Sequence, residues 1–238
     1  MLDHIPFDRI LFLDIETVPA YRSYSDVPDN VVELWDHKAK RLVDEGQVPA
    51  DVYSKAGIFA EFGRIICIST GIIRRIEGGH QFRVKSFAGH DEKTLLNEFS
   101  NLLRSHFNKK DDLLCAHNGK EFDFPYLCRR LLINGMALPK ILNIAGKKPW
   151  EVQHLDTMEL WKFGDYKHYT PLTLLTQVFG IPSPKTDISG ADVHRVYWED
   201  NDLDRIVEYC ERDVLALAQL LLKWRGEKLI EEGEIVVT

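Results

Sequence analysis

Residues 9–19 read RILFLDIETVP. Ile10, Leu11, Phe12, Leu13 and Ile15 are apolar on alternate sides of the chain, so residues 9–15 predict a strand buried on both faces, the central strand of an α/β sheet. Asp14 and Glu16 stand at its end. Residues i and i+2 of a strand share a face, so these carboxylates project side by side on the face used by Ile10 and Phe12. Two adjacent anions at the end of a buried strand repel each other and are costly to desolvate. Something must offset that cost.

The rest of the 238 residues supply the frame. Hydrophobic content of 45% and aromatic content of 11% predict a globular fold, and the length suits one domain over residues 1–238. No run of apolar residues is long enough to span a membrane. The start, MLDHIPFDR, has neither the basic opening nor the apolar centre of a secretory leader. Cys67, Cys115, Cys128 and Cys210 form no CxxC pair and lie in apolar segments, which predicts reduced core thiols, a cytoplasmic location and no zinc site. The net charge of −7 argues against coating nucleic acid by charge alone. It does not exclude a metal-dependent nuclease, whose clustered carboxylates count as negative until a cation binds.

Strands are predicted over 9–15, 64–73, 82–87 and 112–116, with a shorter one near 153–156, and helices over 91–107, 122–134, 171–179 and 202–224. GGHQ at 78–81 reads as the turn between two antiparallel strands. Residues 17–62, with Pro19, Pro28 and Pro49, interrupt the pattern and read as a mostly helical insertion after the first strand, serving as a wall beside Asp14 and Glu16 or as packing alone. The expected fold is a mixed central β-sheet flanked by helices.

Two further stretches carry chemistry. In CAHNGKEFDFPYLCRR, 115–130, a short strand ends in a turn and a helix opens near Phe122 and Asp123. The helix dipole favours an anion there, and taken alone Asp123 reads as ordinary capping chemistry. In RIVEYCERDVLALAQLLLKW, 205–224, Ile206, Cys210, Val214, Leu217 and Leu221 form a buried stripe. Tyr209 and Asp213, four apart, stack beside it, as a pair at the edge of the core or as part of a site. If Asp14, Glu16, Asp123 and Asp213 converge, divalent cations offset their repulsion. Hard oxygen donors in this number suit Mg²⁺ or Mn²⁺, and two such ions can hold a scissile phosphate and activate water.

The three stretches resemble the three motifs of the DEDD superfamily of 3′–5′ exonucleases. Asp14-Ile15-Glu16-Thr17 is similar to the first motif, D-x-E. Asn118-x-x-x-Phe122-Asp123 is similar to the second, and Tyr209-x-x-x-Asp213 to the third in its tyrosine form, since position 208 is Glu and not His. Phe124-Pro125-Tyr126-Leu127 and the Tyr209-Cys210 pair further resemble the exonuclease domains of family-B DNA polymerases. The resemblance implies a ribonuclease-H-like fold and two divalent cations held chiefly by Asp14, Glu16 and Asp213. It implies that Asp123 acts partly through a water on the metal, and that Tyr209 orients the attacking water. It implies hydrolysis of a single-stranded 3′ end, DNA favoured over RNA, to nucleoside 5′-monophosphates. Asn118 and Phe122 would contact the terminal nucleotides, the backbone of Ile15 and Thr17 would cradle the 3′ end, and Lys185 in Lys185-Thr186-Asp187-Ile188 would meet the scissile phosphate. A surface lysine with no such role fits Lys185 as well. A chain of this length leaves no room for polymerase palm or fingers, so the expectation is a stand-alone exonuclease, with a protein partner of unknown identity. The alternatives are an RNA-processing exonuclease and a catalytically weak nucleic-acid-binding module on the same fold.

Asp156, after His154-Leu155, reads as a capping acid. Trp161, Phe163, Tyr166 and Tyr169 read as packing before base stacking. Arg129 and Lys147-Lys148 are candidates for a backbone-binding track near the second-motif helix.

Overall fold

A computed structural model describes residues 1–165, 169–182 and 188–238. The chain runs β1 (Ile10–Pro19), α1 (Asp29–Ala39), β2 (Gly63–Ile76), β3 (Gly79–Ala88), α2 (Glu92–His106), β4 (Leu113–Ala116), α3 (Asp123–Ile133), β5 (Leu155–Asp156), α4 (Thr157–Lys162), α5 (Leu172–Val178), α6 (Val193–Trp198), α7 (Leu203–Arg225) and β6 (Ile235–Val237). Six strands form one sheet in the order β5-β4-β1-β2-β3-β6. The β1–β2 and β2–β3 pairs are antiparallel, and the β1–β4, β4–β5 and β3–β6 pairs are parallel. The expected mixed sheet is therefore present.

β1 lies inside the sheet and is covered on both faces, which explains its unbroken apolar run. Leu11, Leu13 and Ile15 pack with Leu96 and Phe99 of α2 and with Phe124 and Leu127 of α3. Ile10 and Phe12 pack on the other face against Val214, Leu217 and Leu221 of α7. The α7 stripe is thus the one expected from its spacing. α7 closes at Gly226, whose φ of +69° is a left-handed helix cap.

Several boundaries differ from expectation. β1 continues to Pro19, so Asp14 and Glu16 lie within a strand and the interrupting segment begins later than residue 17. The hairpin turn is Glu77-Gly78, not 78–81: Ile76 pairs with Gly79, and Gly78 has φ +84°. Residues 79–81 already belong to β3 because β2 and β3 extend beyond the sheet core, where polar residues are tolerated. α4, α6 and β6 escape notice from sequence because each is six residues or fewer and shows no full period.

The segment after β1 holds α1 and a 3-10 helix over Pro49–Ile58. It has its own small core around Trp35, Val52, Tyr53 and Ala56. It is tied to the rest of the molecule by Tyr126, whose hydroxyl donates to the Gly57 carbonyl at 2.7 Å, and by Arg130, which donates to the Ala60 carbonyl at 2.8 Å. Gly57 permits close approach: a Cβ there would stand 3.0 Å from the Val18 backbone.

Candidate active site

Asp14 pairs with Ser69 and Glu16 with Cys67 across β1–β2, and the register shifts between Glu16 and Thr17. Such an irregularity bends a strand and re-aims its side chains. Asp14 is half-buried and Glu16 buried, on the side that meets α7. There the Cys210 thiol donates to Asp14 at 3.3 Å from Oδ2 and 3.4 Å from the main-chain oxygen. Carboxylate oxygens of Asp14 and Glu16 and the Cys210 sulfur all lie within 4.8 Å of one another. Asp123 and Asp213 stand outside that tightest group. Spacing marked Cys210 only as part of the apolar stripe. Its signal was its place between Tyr209 and Asp213.

Asp123 is the first residue of α3 and is buried. Its carboxylate accepts from its own backbone N–H and from that of Ile15, which ties the helix start to the middle of β1. The preceding turn is held from below. Asp156 accepts from the backbone of Asn118 and Lys120 at 3.0 Å each, and from Met158 and Glu159 as the cap of α4. The capping expectation for Asp156 is met, and the same carboxylate also fixes the turn that delivers Asp123. His117 fastens the next segment: Nδ1 lies 2.8 Å from Thr157 Oγ1 and Nε2 2.8 Å from the Thr170 carbonyl. Burial lowers its pKa, so the ring is neutral; Nε2–H must then donate to Thr170, and Nδ1 accepts from Thr157.

Tyr209 and Asp213 come from α7, and the tyrosine hydroxyl donates to the Asp213 carboxylate. Burial raises the Tyr209 pKa, and the charges of Asp213, Glu16 and Asp14 raise it further. Asp14 and Glu16 respond to the neighbouring carboxylates in the same way. Burial, then Glu16, Asp123 and Asp213, push the Asp14 pKa well up, while the Cys210 thiol pulls it down. Glu16 is pushed up by burial, by Cys67, and then by Asp213 and Asp123. Asp123 is raised to about 7 and Asp213 to about 6, each chiefly by burial. Four carboxylates from β1, α3 and α7 thus share one electrostatic neighbourhood. A cluster that binds protons this strongly in place of a cation fits divalent metal ions.

The other expected residues are placed as follows. Ile15 contributes its backbone N–H to Asp123, and the Thr17 hydroxyl donates to Tyr126. Asn118 has φ +62°, and its Oδ1 is buried with no hydrogen-bond partner among the described residues. Phe122 is half-buried with its ring 5.3 Å from that of Tyr126. Lys185 lies outside the described residues, as does Tyr166. Trp161 stacks parallel on Trp224 at 6.3 Å, a packing role, whereas Phe163 and Tyr169 are exposed. The four cysteines are free thiols, three of them buried. No helix among the described residues is long and apolar enough to cross a membrane.

Comparison with known proteins bears on the family and the fold. Residues 58–227, more than half of the chain, match the family described as predicted 3′–5′ exonuclease related to the exonuclease domain of PolB. That match begins after Asp14 and Glu16. The chain is 25% identical to a DNA polymerase of Desulfurococcus sp. (strain Tok) over 248 residues, covering 89% of this chain and 31% of the polymerase. It is 24% identical to a DNA polymerase of Thermococcus sp. (strain 9oN-7), again over 89% of this chain and 31% of that protein. The chain therefore spans about a third of the length of these relatives. The fold is similar to part of the family B DNA polymerase from Pyrobaculum calidifontis, with a TM-score of 0.50, 18% identity, and coverage of 90% of this chain and 24% of that one.

Proposed function

We propose, from the premise that the chain belongs to the family of predicted 3′–5′ exonucleases related to the exonuclease domain of PolB, that residues 1–238 form a metal-dependent exonuclease. It removes nucleoside 5′-monophosphates from the 3′ end of a single strand, with DNA favoured because its relatives are DNA polymerases. The observation that carries this reading is the gathering of Asp14, Glu16, Asp123 and Asp213 in one buried neighbourhood, where Asp123 and Asp213 push up the pKa values of Asp14 and Glu16.

Asp14, Glu16 and Asp213 would hold two Mg²⁺ or Mn²⁺ ions, with Asp123 beside them. Such ions supply neutralisation of phosphate charge and acidity for the attacking water. The chain's own groups position the reactants. Asp156 and the Ile15 N–H fix Asp123, and the Cys210 thiol fixes Asp14. Tyr209, whose hydroxyl lies against Asp213, would orient the attacking water for in-line displacement. The Asn118 side chain, in the turn before Asp123, would contact the terminal nucleotide. Phe122 packs against it, the backbone at Ile15 and Thr17 cradles the 3′ end, and Lys185 is assigned to the scissile phosphate.

Single strands of DNA and RNA labelled at the 5′ end, incubated with the protein and Mg²⁺, test the substrate. The reading expects mononucleotide products, identified chromatographically as 5′-monophosphates, and faster release from DNA. Nucleoside 3′-phosphates, or internal cuts with no 3′ ladder, would overturn it.

A further inference from the structure

We infer that the outer side of α3 and the 138–152 segment carry the part of a single-stranded nucleic acid lying 5′ of the scissile nucleotide, an inference that rests on the exonuclease reading. Two shallow grooves, about 340 and 300 Å³, meet at Ile144 and Lys147. The first is lined by Lys120, Arg129 and Lys147, the second by Lys147, Lys140, Lys109 and Lys110. Lys120 lies in the turn that delivers Asp123. Arg129 is six residues further along the same helix, about 9 Å at 1.5 Å per residue. The cations thus begin at the turn that delivers Asp123 and continue along α3 to Arg129.

These charges are available. Lys120 pairs with Glu159, but the other five have no ion pair among the described residues. The two acids on the second groove are already engaged: Asp112 holds Arg9 at 3.0 Å, and Glu151 accepts from the Lys148 backbone. A run of unpaired cations on a chain of net charge −7 is a local footprint for a polyanion. Trp150 adds the second element of single-strand recognition. It is 74% exposed, an unusual state for tryptophan, with Lys148 Nζ 5.2 Å from its ring centroid. An exposed indole beside cations stacks a base while they hold phosphates. The platform is anchored: His154 Nε2 lies 3.0 Å from the Ile141 carbonyl and its Nδ1 accepts from Leu114 N–H, with a pKa lowered by burial to about 4, so the ring stays neutral.

A separate basic cleft, lined by Arg74 of β2, Arg83 and Lys85 of β3 and His106 of α2, serves as the control. The test is fluorescence anisotropy of a 5′-labelled oligothymidylate with the full chain in EDTA across a salt series, each variant checked for folding by circular dichroism. For R129E/K147E we expect at least tenfold weaker binding and a log-log salt slope shallower by about 1.4, two phosphate contacts at about 0.7 each. Trp150→Ala should weaken binding about tenfold. R74E/R83E should bind as wild type, and polyglutamate should compete poorly. The inference is overturned if the wild type does not bind, if R129E/K147E and Trp150→Ala bind like it, if R74E/R83E carries the loss, or if polyglutamate competes as well as the oligonucleotide. Failure of the exonuclease reading is seen separately, as absence of mononucleotide release by the wild type in Mg²⁺.

Discussion

The Cys210 thiol of α7 donates to the Asp14 carboxylate of β1 across 3.3 Å, joining the two elements at the centre of the candidate site. Groups that orient metal ligands from behind typically change metal affinity 10–100-fold when removed. Cys210→Ala should therefore weaken Mn²⁺ binding about tenfold, measured by calorimetry. Cys210→Ser, which retains a donor, should recover most of it. Equal affinities in all three proteins would show that the contact is packing only.

In the metal-free protein, Asp123 titrates near 7 and Asp213 near 6, both above the unfolded carboxylate value of about 4. The folded state then holds protons that the unfolded chain has released, so stability falls as pH rises from about 4 to 7. Urea midpoints in EDTA should decline across that window. Saturating Mg²⁺ or Mn²⁺ should remove the decline, because the cation takes the place of the protons. A midpoint that rises with pH in EDTA would contradict the shared electrostatics of the cluster.

Asp156 touches no candidate ligand atom, yet it accepts four backbone N–H groups from two segments. Asp156→Ala should cost about 1–3 kcal/mol from the unsatisfied buried donors, lowering Tm by several degrees at about 2–4 °C per kcal/mol. It should also lower kcat, since the turn before Asp123 loses its support. Asp156→Asn should recover much of the stability, as its amide oxygen still accepts. Differential scanning calorimetry alongside single-turnover hydrolysis separates the two effects.

Glu92 and Arg130 form a buried bidentate pair, and Glu92 also accepts from the Ile65 backbone at 2.8 Å. This pair clamps α2 to α3 and, through Ala60, to the segment after β1. Glu92→Leu leaves Arg130 unpaired in the interior and should destabilise by about 3–5 kcal/mol. E92L/R130L should be far less damaging than that single change. Urea denaturation of the two variants checks the order.

The sheet was legible because β1 is apolar on both faces and because β2 and β3 are long enough to show their pattern. Asp14, Glu16, Asp123, Tyr209 and Asp213 stood out as three spaced motifs, and the fold brings them into one neighbourhood. What the sequence could not show depends on contacts distant along the chain. β6 is three residues pairing with β3 about 150 positions earlier, too short to display alternation. Cys210 stood out as a stripe residue and as part of the Tyr209-Cys210 pair, but its bond to Asp14 exists only because α7 crosses β1. Trp150 sits between a proline and a glutamate with no periodic neighbour, so its exposure could not be read. Asp156 was recognisable as a cap, but not as the support of a turn nearly forty residues away.

The most direct test of the account is hydrolysis of a 5′-labelled single-stranded DNA by the wild type, Asp14→Asn and Asp213→Asn in Mg²⁺, with an EDTA control. The account predicts a ladder shortening from the 3′ end for the wild type. It predicts none in EDTA and none for either variant, both of which should fold with equal or higher metal-free Tm. A ladder that persists in EDTA or in Asp14→Asn would contradict it.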